Sequence, residues 1–160
     1  MDACMTASAT HCLPLADAGG DDIKRKLRGH IARRNLAGAA NDCKWNALLA
    51  FMRGQTDWLP SYRYGSVTGY VSRWDTEWDY HPPFPFMGVE WFDIGLTSEE
   101  HVGMLLPKKI IDHGVWIVPE LERIGFDFEV RDRVARIWGY LPRSYEDFPP
   151  VDSFKDQSHA

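Results

Sequence analysis

The hydrophobic periodicity of the chain changes once, near Trp58. Before that point apolar residues recur at helical spacing, with Trp45, Leu48, Leu49 and Met52 at positions i, i+3, i+4 and i+7. After it, aromatic and β-branched residues alternate with polar ones, which is typical of strands. A chain that is first helical and then rich in strands favours an α+β fold, here a mostly antiparallel sheet with helices packed on one side.

The length and the local patterns divide the chain into one core domain and its flanking segments. The 160 residues suit a single hydrophobic core. Residues 1–20 are rich in Ala, Thr, Ser and Gly, so we expect a disordered tail there. A basic amphipathic helix is predicted over 21–40, the core domain over 41–145 and a C-terminal tail over 146–160. The three cysteines match no zinc or disulfide pattern and are interpreted as reduced thiols.

The charge distribution separates the first part of the chain from the rest. The net charge is -5, and residues 44–160 hold twelve of the 18 basic and eighteen of the 23 acidic side chains. An acidic core domain argues against nucleic acid as the main partner and for a basic protein partner. The sequence shows neither a secretory signal nor a membrane span, which predicts no membrane partner and a cytoplasmic location.

Within the core domain the alternating segments predict a sheet. The predicted strands are Tyr62–Tyr64, Gly69–Trp74, Glu77–His81 and Val89–Ile94, followed by a closing hairpin of residues 126–130 and 134–141. Between them, helices are expected near 98–113 and 118–125, because Thr97-Ser98-Glu99-Glu100 is typical of a helix start.

The densest group of polar and aromatic residues lies at Trp74–His81. On one continuous strand, Asp75, Glu77, Asp79 and His81 would share a face and could bind a divalent metal or act as acid and base. In a hairpin with Asp75-Thr76 at its tip, Trp74 would oppose Glu77, Arg73 would oppose Trp78, and the carboxylates would separate. We favour the hairpin.

No motif identifies a reaction. The sequence contains no nucleophile elbow, no phosphate-binding glycine loop and no Cys near a His in the core domain. We therefore predict no catalytic residue, no metal site and no cofactor.

Several short motifs resemble an uncharacterised family of small bacterial cytosolic proteins, known only as a domain of unknown function. They are Lys44-Trp45-Asn46, Trp74-Asp75-Thr76-Glu77-Trp78 with Tyr80-His81, Glu90-Trp91, and Ile137-Trp138-Gly139-Tyr140, within residues 44–141. The resemblance implies a small α+β domain without recognised catalytic residues, similar in size, acidity and aromatic content to immunity proteins of bacterial toxin systems. Thr76 departs from the family pattern, in which glycine suits a tight turn.

The resulting hypothesis is a non-catalytic immunity protein that binds and neutralises a cognate, basic bacterial toxin through an acidic, aromatic surface. The predicted partner-binding residues are Asp75, Glu77, Trp78, Asp79, Tyr80, His81, Glu90 and Trp91. One alternative is a small metal-assisted hydrolase that uses Asp75, Glu77, Asp79 and His81. Another is a regulator whose basic helix, residues 22–36, contacts nucleic acid.

Overall fold

The structure, a computed structural model, describes residues 12–151, and this range contains three α-helices and eight strands. The helices are α1 (Asp21–Arg33), α2 (Asp42–Arg53) and α3 (Gly114–Ile124). The strands are β1 (Ala37–Gly38), β2 (Tyr62–Ser66), β3 (Val89–Gly95), β4 (Thr97–Glu100), β5 (Lys109–Asp112), β6 (Phe128–Arg131), β7 (Val134–Trp138) and β8 (Tyr140–Leu141). All strand pairs are antiparallel, and the predicted α+β fold is confirmed.

The central sheet has four strands in the order β2-β3-β7-β6. Every residue of β3 and of β7 is buried, because these inner strands are covered on both faces. The two outer strands of the sheet are less buried. Two smaller sheets accompany it, β1 with β8 and the hairpin of β4 with β5.

Helix α2 covers one face of the central sheet, and its buried residues are the four predicted ones, Trp45, Leu48, Leu49 and Met52. Asn41 caps the helix, because its side chain accepts the N–H of Lys44. The ring of Trp45 packs against three phenylalanines, Phe86, Phe92 and Phe126. Ile117 and Leu121 of α3 complete this core.

The opposite face of the sheet carries a second cluster, in which Trp91, Val134 and Trp138 are covered by Phe148. Residues 146–151 of the predicted C-terminal tail lie on this face of the sheet, where burial of Phe148 holds them. The prediction of a disordered N-terminal tail is wrong for residues 12–20, since Ala16 is fully buried and its N–H donates to Asn46 Oδ1 at 2.7 Å. Residues 1–11 and 152–160 of the predicted tails lie outside the described residues.

The helix predicted near 98–113 is wrong, since β4 and β5 form a hairpin there. Gly103 and Pro107 interrupt any helix in this segment, and the β-branched Ile110 and Ile111 favour a strand. Helix α3 begins at Gly114, four residues earlier than predicted, and ends at Ile124, with Gly125 at φ +92° as its C-cap.

Three further expectations need correction. The predicted strand 69–74 contributes only an isolated bridge, Val71 with Gly65, and the predicted strand 77–81 contributes none; the other isolated bridge joins Tyr62 with Asp75, which lies between the two segments. The basic helix ends at Arg33 rather than at residue 40, and Asn35 has a φ of +54°. Cys43 is disulfide-bonded, so the interpretation as a reduced thiol is wrong for this residue.

Among residues 12–151 no helix has the length and apolarity that crossing a membrane requires.

Candidate protein-binding site

The acidic loop, residues 75–81, begins where Asp75 pairs with Tyr62 at the start of β2. The two residues exchange backbone hydrogen bonds of 2.8 and 2.9 Å. Beyond this bridge the chain turns outward. Asp79, Tyr80 and His81 are exposed, Asp75 and Glu77 are half-buried, and Trp78 is buried. The loop therefore presents three carboxylates, a phenol and an imidazole at the surface.

Two carboxylates of the loop bind its own backbone. Asp75 Oδ1 accepts the N–H of Glu77 at 2.9 Å, which closes an Asx turn, and Asp75 Oδ2 lies 2.8 Å from His81 Nδ1. Glu77 Oε1 accepts the N–H of Tyr80 at 2.7 Å and that of His81 at 3.1 Å. These bonds curl the chain into a compact turn.

The predicted hairpin with its tip at Asp75-Thr76 is therefore wrong. In that hairpin Trp74 would face Glu77, but Asp75 instead pairs with β2 and Glu77 binds residues ahead of it. Short polar side chains that bind nearby N–H groups compete with strand pairing, and here they prevail.

The same hydrogen bonds keep both carboxylates ionised. Burial raises the pKa of Asp75, but the hydrogen bonds from the Glu77 N–H and from His81 outweigh it, so the pKa lies below its ordinary value. Burial also raises the pKa of Glu77, and the N–H groups of Tyr80 and His81 reverse that effect. Both groups are negative at neutral pH.

Trp78 attaches the loop to the core. Its side chain is 2% exposed, and its indole N–H donates to the carbonyl of Pro60 at 2.9 Å. The ring packs on those of Tyr62 and Phe92, with centroids 4.6 and 5.8 Å away. Trp78 therefore holds the loop from below and does not form part of its outer surface.

Further hydrogen bonds from the body fix the loop backbone. Arg53, the last residue of α2, donates to the carbonyls of Trp78 at 3.1 Å and of Asp79 at 2.9 Å. The Tyr62 hydroxyl donates to the carbonyl of Glu77 at 2.6 Å. The loop backbone is therefore held from two sides.

Glu90 and Trp91, the other two predicted contact residues, are engaged inside the fold. Glu90 is 7% exposed and accepts two hydrogen bonds from Arg34, at 2.8 and 2.9 Å, which attach the end of α1 to β3. Trp91 is 1% exposed and lies on the face covered by Phe148. Five of the eight predicted residues therefore reach the surface, Asp75, Glu77, Asp79, Tyr80 and His81.

The metal-assisted alternative requires Asp75, Glu77, Asp79 and His81 to converge. Asp79 instead turns towards Arg53, with 3.8 Å between Oδ1 and Nε. Glu77 binds backbone N–H groups. Within residues 12–151, no group of three or more His, Cys, Asp or Glu side chains is arranged to hold a metal ion.

A buried charge cluster, which the sequence pattern did not indicate, lies under the C-terminal segment. Arg63, Asp93 and Arg136 stand directly opposite one another on β2, β3 and β7. Asp93 Oδ2 accepts Arg63 Nε at 3.0 Å, and Asp93 Oδ1 accepts Arg136 Nε at 2.7 Å. The Arg136 guanidinium also stacks 3.8 Å from the ring centre of Trp91.

The C-terminal segment closes this cluster. Arg136 donates to the carbonyls of Ser144 and Glu146, at 3.1 and 2.7 Å, and Arg63 donates to the Asp147 side chain at 2.9 Å. These partners leave Asp93 and Arg136 without solvent exposure, so the cluster stabilises the fold and does not form an open site. The sequence showed charged residues within each of the three strands, but which of them lie together depends on the register of the sheet.

Comparison with known protein families shows where this chain belongs. A model described as a family of unknown function, DUF6678, matches residues 27–144. The chain belongs to that family. No curated protein and no solved structure matches the chain significantly. Membership of DUF6678 confirms the resemblance to a family of unknown function and leaves the activity open.

Two of the motifs within the DUF6678 region have clear structural roles. In Lys44-Trp45-Asn46, Lys44 donates to the carbonyl of Gly125 at 2.8 Å, Trp45 fills the core, and Asn46 binds Ala16. In the last motif, Trp138 donates to Ser144 at 2.9 Å, and the Tyr140 hydroxyl donates to the carbonyl of Met87 at 2.7 Å. These motifs hold the fold together and leave the acidic loop as the candidate for function.

Proposed function

We propose that this DUF6678 protein is a non-catalytic binding protein whose acidic loop docks on a basic protein. The observation that carries the proposal is a surface loop with ionised side chains and a fixed backbone. Asp75 and Glu77 have lowered pKa values, and Arg53 and Tyr62 hold the loop backbone. A preformed loop of this kind favours recognition over chemistry.

Tyr80 supplies the apolar contact that carboxylates alone lack. Its side chain is 63% exposed, next to Asp79. Exposed tyrosines are frequent energetic centres of protein interfaces, because they bury a large ring and keep a hydroxyl for hydrogen bonding. Asp75, Glu77 and Asp79 around it would attract a positively charged partner and speed its association.

In its narrower form the proposal identifies the partner as a cognate bacterial toxin and the protein as its immunity protein. A basic patch around a toxin active site would be covered by the acidic loop, which blocks the substrate. The proposal places the protein in the bacterial cytoplasm, where it would meet a toxin that acts inside the cell. One observation does not favour a cytoplasmic location: Cys43 is disulfide-bonded, and disulfides are rare in cytosolic proteins.

The first experiment is a pull-down of the tagged full chain from its own cells, followed by mass spectrometry. We expect one stoichiometric basic protein. A toxin domain in that protein would support the narrower form, and a basic protein without toxic activity would contradict it while preserving the binding proposal. Recovery of no basic protein would contradict both.

Tyr80→Ala is expected to weaken binding of that partner about 30-fold, because loss of an interface centre costs about 2 kcal/mol. Titration calorimetry measures the change. Tyr70→Ala is the matched control, since Tyr70 is 60% exposed and lies outside the loop. Equal affinities of the two variants would show that Tyr80 is not part of the interface.

Asp79→Asn is expected to slow association and to weaken its dependence on salt, with a smaller effect on dissociation. Stopped-flow mixing at two ionic strengths measures both rates. Glu122→Gln removes one negative charge from the exposed surface of α3 and serves as control. If both substitutions changed the association rate equally, the effect would come from net charge and not from the loop.

A further inference from the structure

The hairpin of β4 and β5 carries an exposed apolar tip. Between the two strands, Met104 is 97% exposed, Leu105 98%, Leu106 60% and Val102 52%. Ile110 on β5 is 46% exposed. Apolar groups this exposed and this close in sequence mark an interaction surface. A two-stranded hairpin is also only marginally stable alone, so it gains from additional pairing.

The hydrogen bonds of the hairpin show which backbone groups of β5 face outward. The N–H of His113 donates to the carbonyl of Leu96 at 2.7 Å, so the adjacent pair Thr97–Asp112 is a non-hydrogen-bonded one. Pairs alternate along an antiparallel ladder, and Ser98–Ile111 is therefore hydrogen-bonded. The backbone N–H and C=O of Ile110 and of Asp112 point away from β4.

This outer edge of β5 is open in the described chain. Among residues 12–151, no strand pairs with that side of β5, towards which the backbone N–H groups of Ile110 and Asp112 point. An open edge of this kind is a template for another strand.

We propose that the protein forms a twofold-symmetric dimer in which β5 of one copy pairs antiparallel with β5 of a second copy. Two strands can pair only through residues whose backbone N–H and C=O point towards the other strand. Ile110 is such a residue, so a twofold axis can pass between the two copies of Ile110, which then lie opposite each other. The same register places Lys108 opposite Asp112 of the second copy. The dimer joins two hairpins into one four-stranded sheet, and this inference is independent of the proposed binding function.

Charge and side-chain direction agree with this register. Ile110 and Asp112 of β5 alternate with Lys108, which immediately precedes the strand, and the three share one face of the sheet. Glu99 lies on that face too, opposite Ile110 and 3.2 Å from Lys108. In the dimer a central pair of isoleucines is flanked on each side by a lysine and an aspartate of opposite copies. Lysines on an open edge often prevent pairing, but here Lys108 meets a complementary carboxylate, that of Asp112 in the second copy.

In this dimer the apolar tip would also contact the second copy. Leu106 precedes Lys108 by two residues and Gly114 follows Asp112 by two, so the tip would lie near the start of α3 of the second copy. A groove of about 420 Å³ lies there, with apolar walls that include Leu96, Val115 and Val118. Val115 is 72% exposed in the single chain, so the tip would cover an apolar surface that is otherwise solvated.

Sedimentation velocity of the full chain across the micromolar range tests the dimer. We expect a dimer for the unchanged protein and monomers for Ile110→Glu and Leu105→Glu. Ile110→Glu places two carboxylates opposite each other on the axis and should weaken association at least about 100-fold. Ile23→Glu is the matched control, since Ile23 lies on α1 with 52% exposure, and this variant should remain dimeric.

Hydrogen exchange separates strand pairing from contact through the tip alone. The amides of Ile110 and Asp112 should become protected as protein concentration rises, whereas the Ile111 amide, bonded within the hairpin, should be protected at every concentration. A monomer throughout, a dimer that survives Ile110→Glu, or unprotected Ile110 and Asp112 amides would each overturn the proposal. A monomer that cosediments with phosphatidylcholine vesicles through Leu105 would overturn it in favour of a membrane contact.

Discussion

Asp93→Asn should lower the free energy of unfolding by about 3–5 kcal/mol, because it leaves two buried arginines without their shared counter-charge. Asp93 and Arg136 are fully buried, and Arg63 is 4% exposed. The substitution keeps the shape of the side chain but replaces one oxygen by an amide nitrogen, which cannot accept a hydrogen bond from a guanidinium. Urea denaturation followed by tryptophan fluorescence measures the change.

Asp147→Asn is the matched control for this prediction. Asp147 also pairs with Arg63, at 2.9 Å, but its side chain is 45% exposed, so loss of its charge should cost about 0–1 kcal/mol. Asparagine also tolerates the φ of +48° at this position. Similar losses in the two variants would mean that burial does not govern the strength of this network.

The register of the central sheet explains why this network was not anticipated. The local pattern predicts strands at Tyr62–Tyr64, Val89–Ile94 and 134–141. The first two exist with small differences at their ends, whereas the third is divided at Gly139 into β7 and β8, which belong to different sheets. A local pattern gives no information on which residue of one strand faces which residue of another. Arg63, Asp93 and Arg136 become one cluster only through that pairing, which long-range packing sets.

Helix α2 was predictable because its signals are all local. The Asn41 cap and the spacing from Trp45 to Met52 are visible within twelve residues, and the structure buries the four apolar positions expected. The segment 97–112 carried conflicting local signals. Thr97-Ser98-Glu99-Glu100 is typical of a helix start, and only its partner Lys109–Asp112 turns it into a strand.

The candidate site was predictable in composition but not in geometry. The sequence placed carboxylates and aromatic rings together at 75–81, and five of those residues do share a surface loop. It could not separate Trp78, which is buried under the loop, from Tyr80, which is exposed above it. On a strand, alternation would place Trp78 and Tyr80 on the same face. The structure separates them because Asp75 and Glu77 accept hydrogen bonds from the N–H groups that follow and form a turn.

A close approach of two backbones at the end of β7 produces the second large effect. A Cβ on Gly139 would lie 2.1 Å from the carbonyl oxygen of Val89 and 3.4 Å from the ring of Trp45. The Gly139 N–H donates to the carbonyl of Glu90 at 2.9 Å, and its own carbonyl accepts the N–H of Ala39 at 2.8 Å. The backbone is therefore bonded on both sides and cannot move aside without breaking strand contacts.

Gly139→Ala should consequently lower the free energy of unfolding by about 3 kcal/mol, the upper end of the usual cost of overpacking. Gly38→Ala, on the neighbouring β1, is the matched control, because a Cβ at Gly38 would have no other atom within 4 Å. That variant should stay within about 0.5 kcal/mol of the unchanged protein. Urea midpoints for both variants decide the matter, and equal values would mean that the contact between Gly139 and Val89 does not limit this part of the fold.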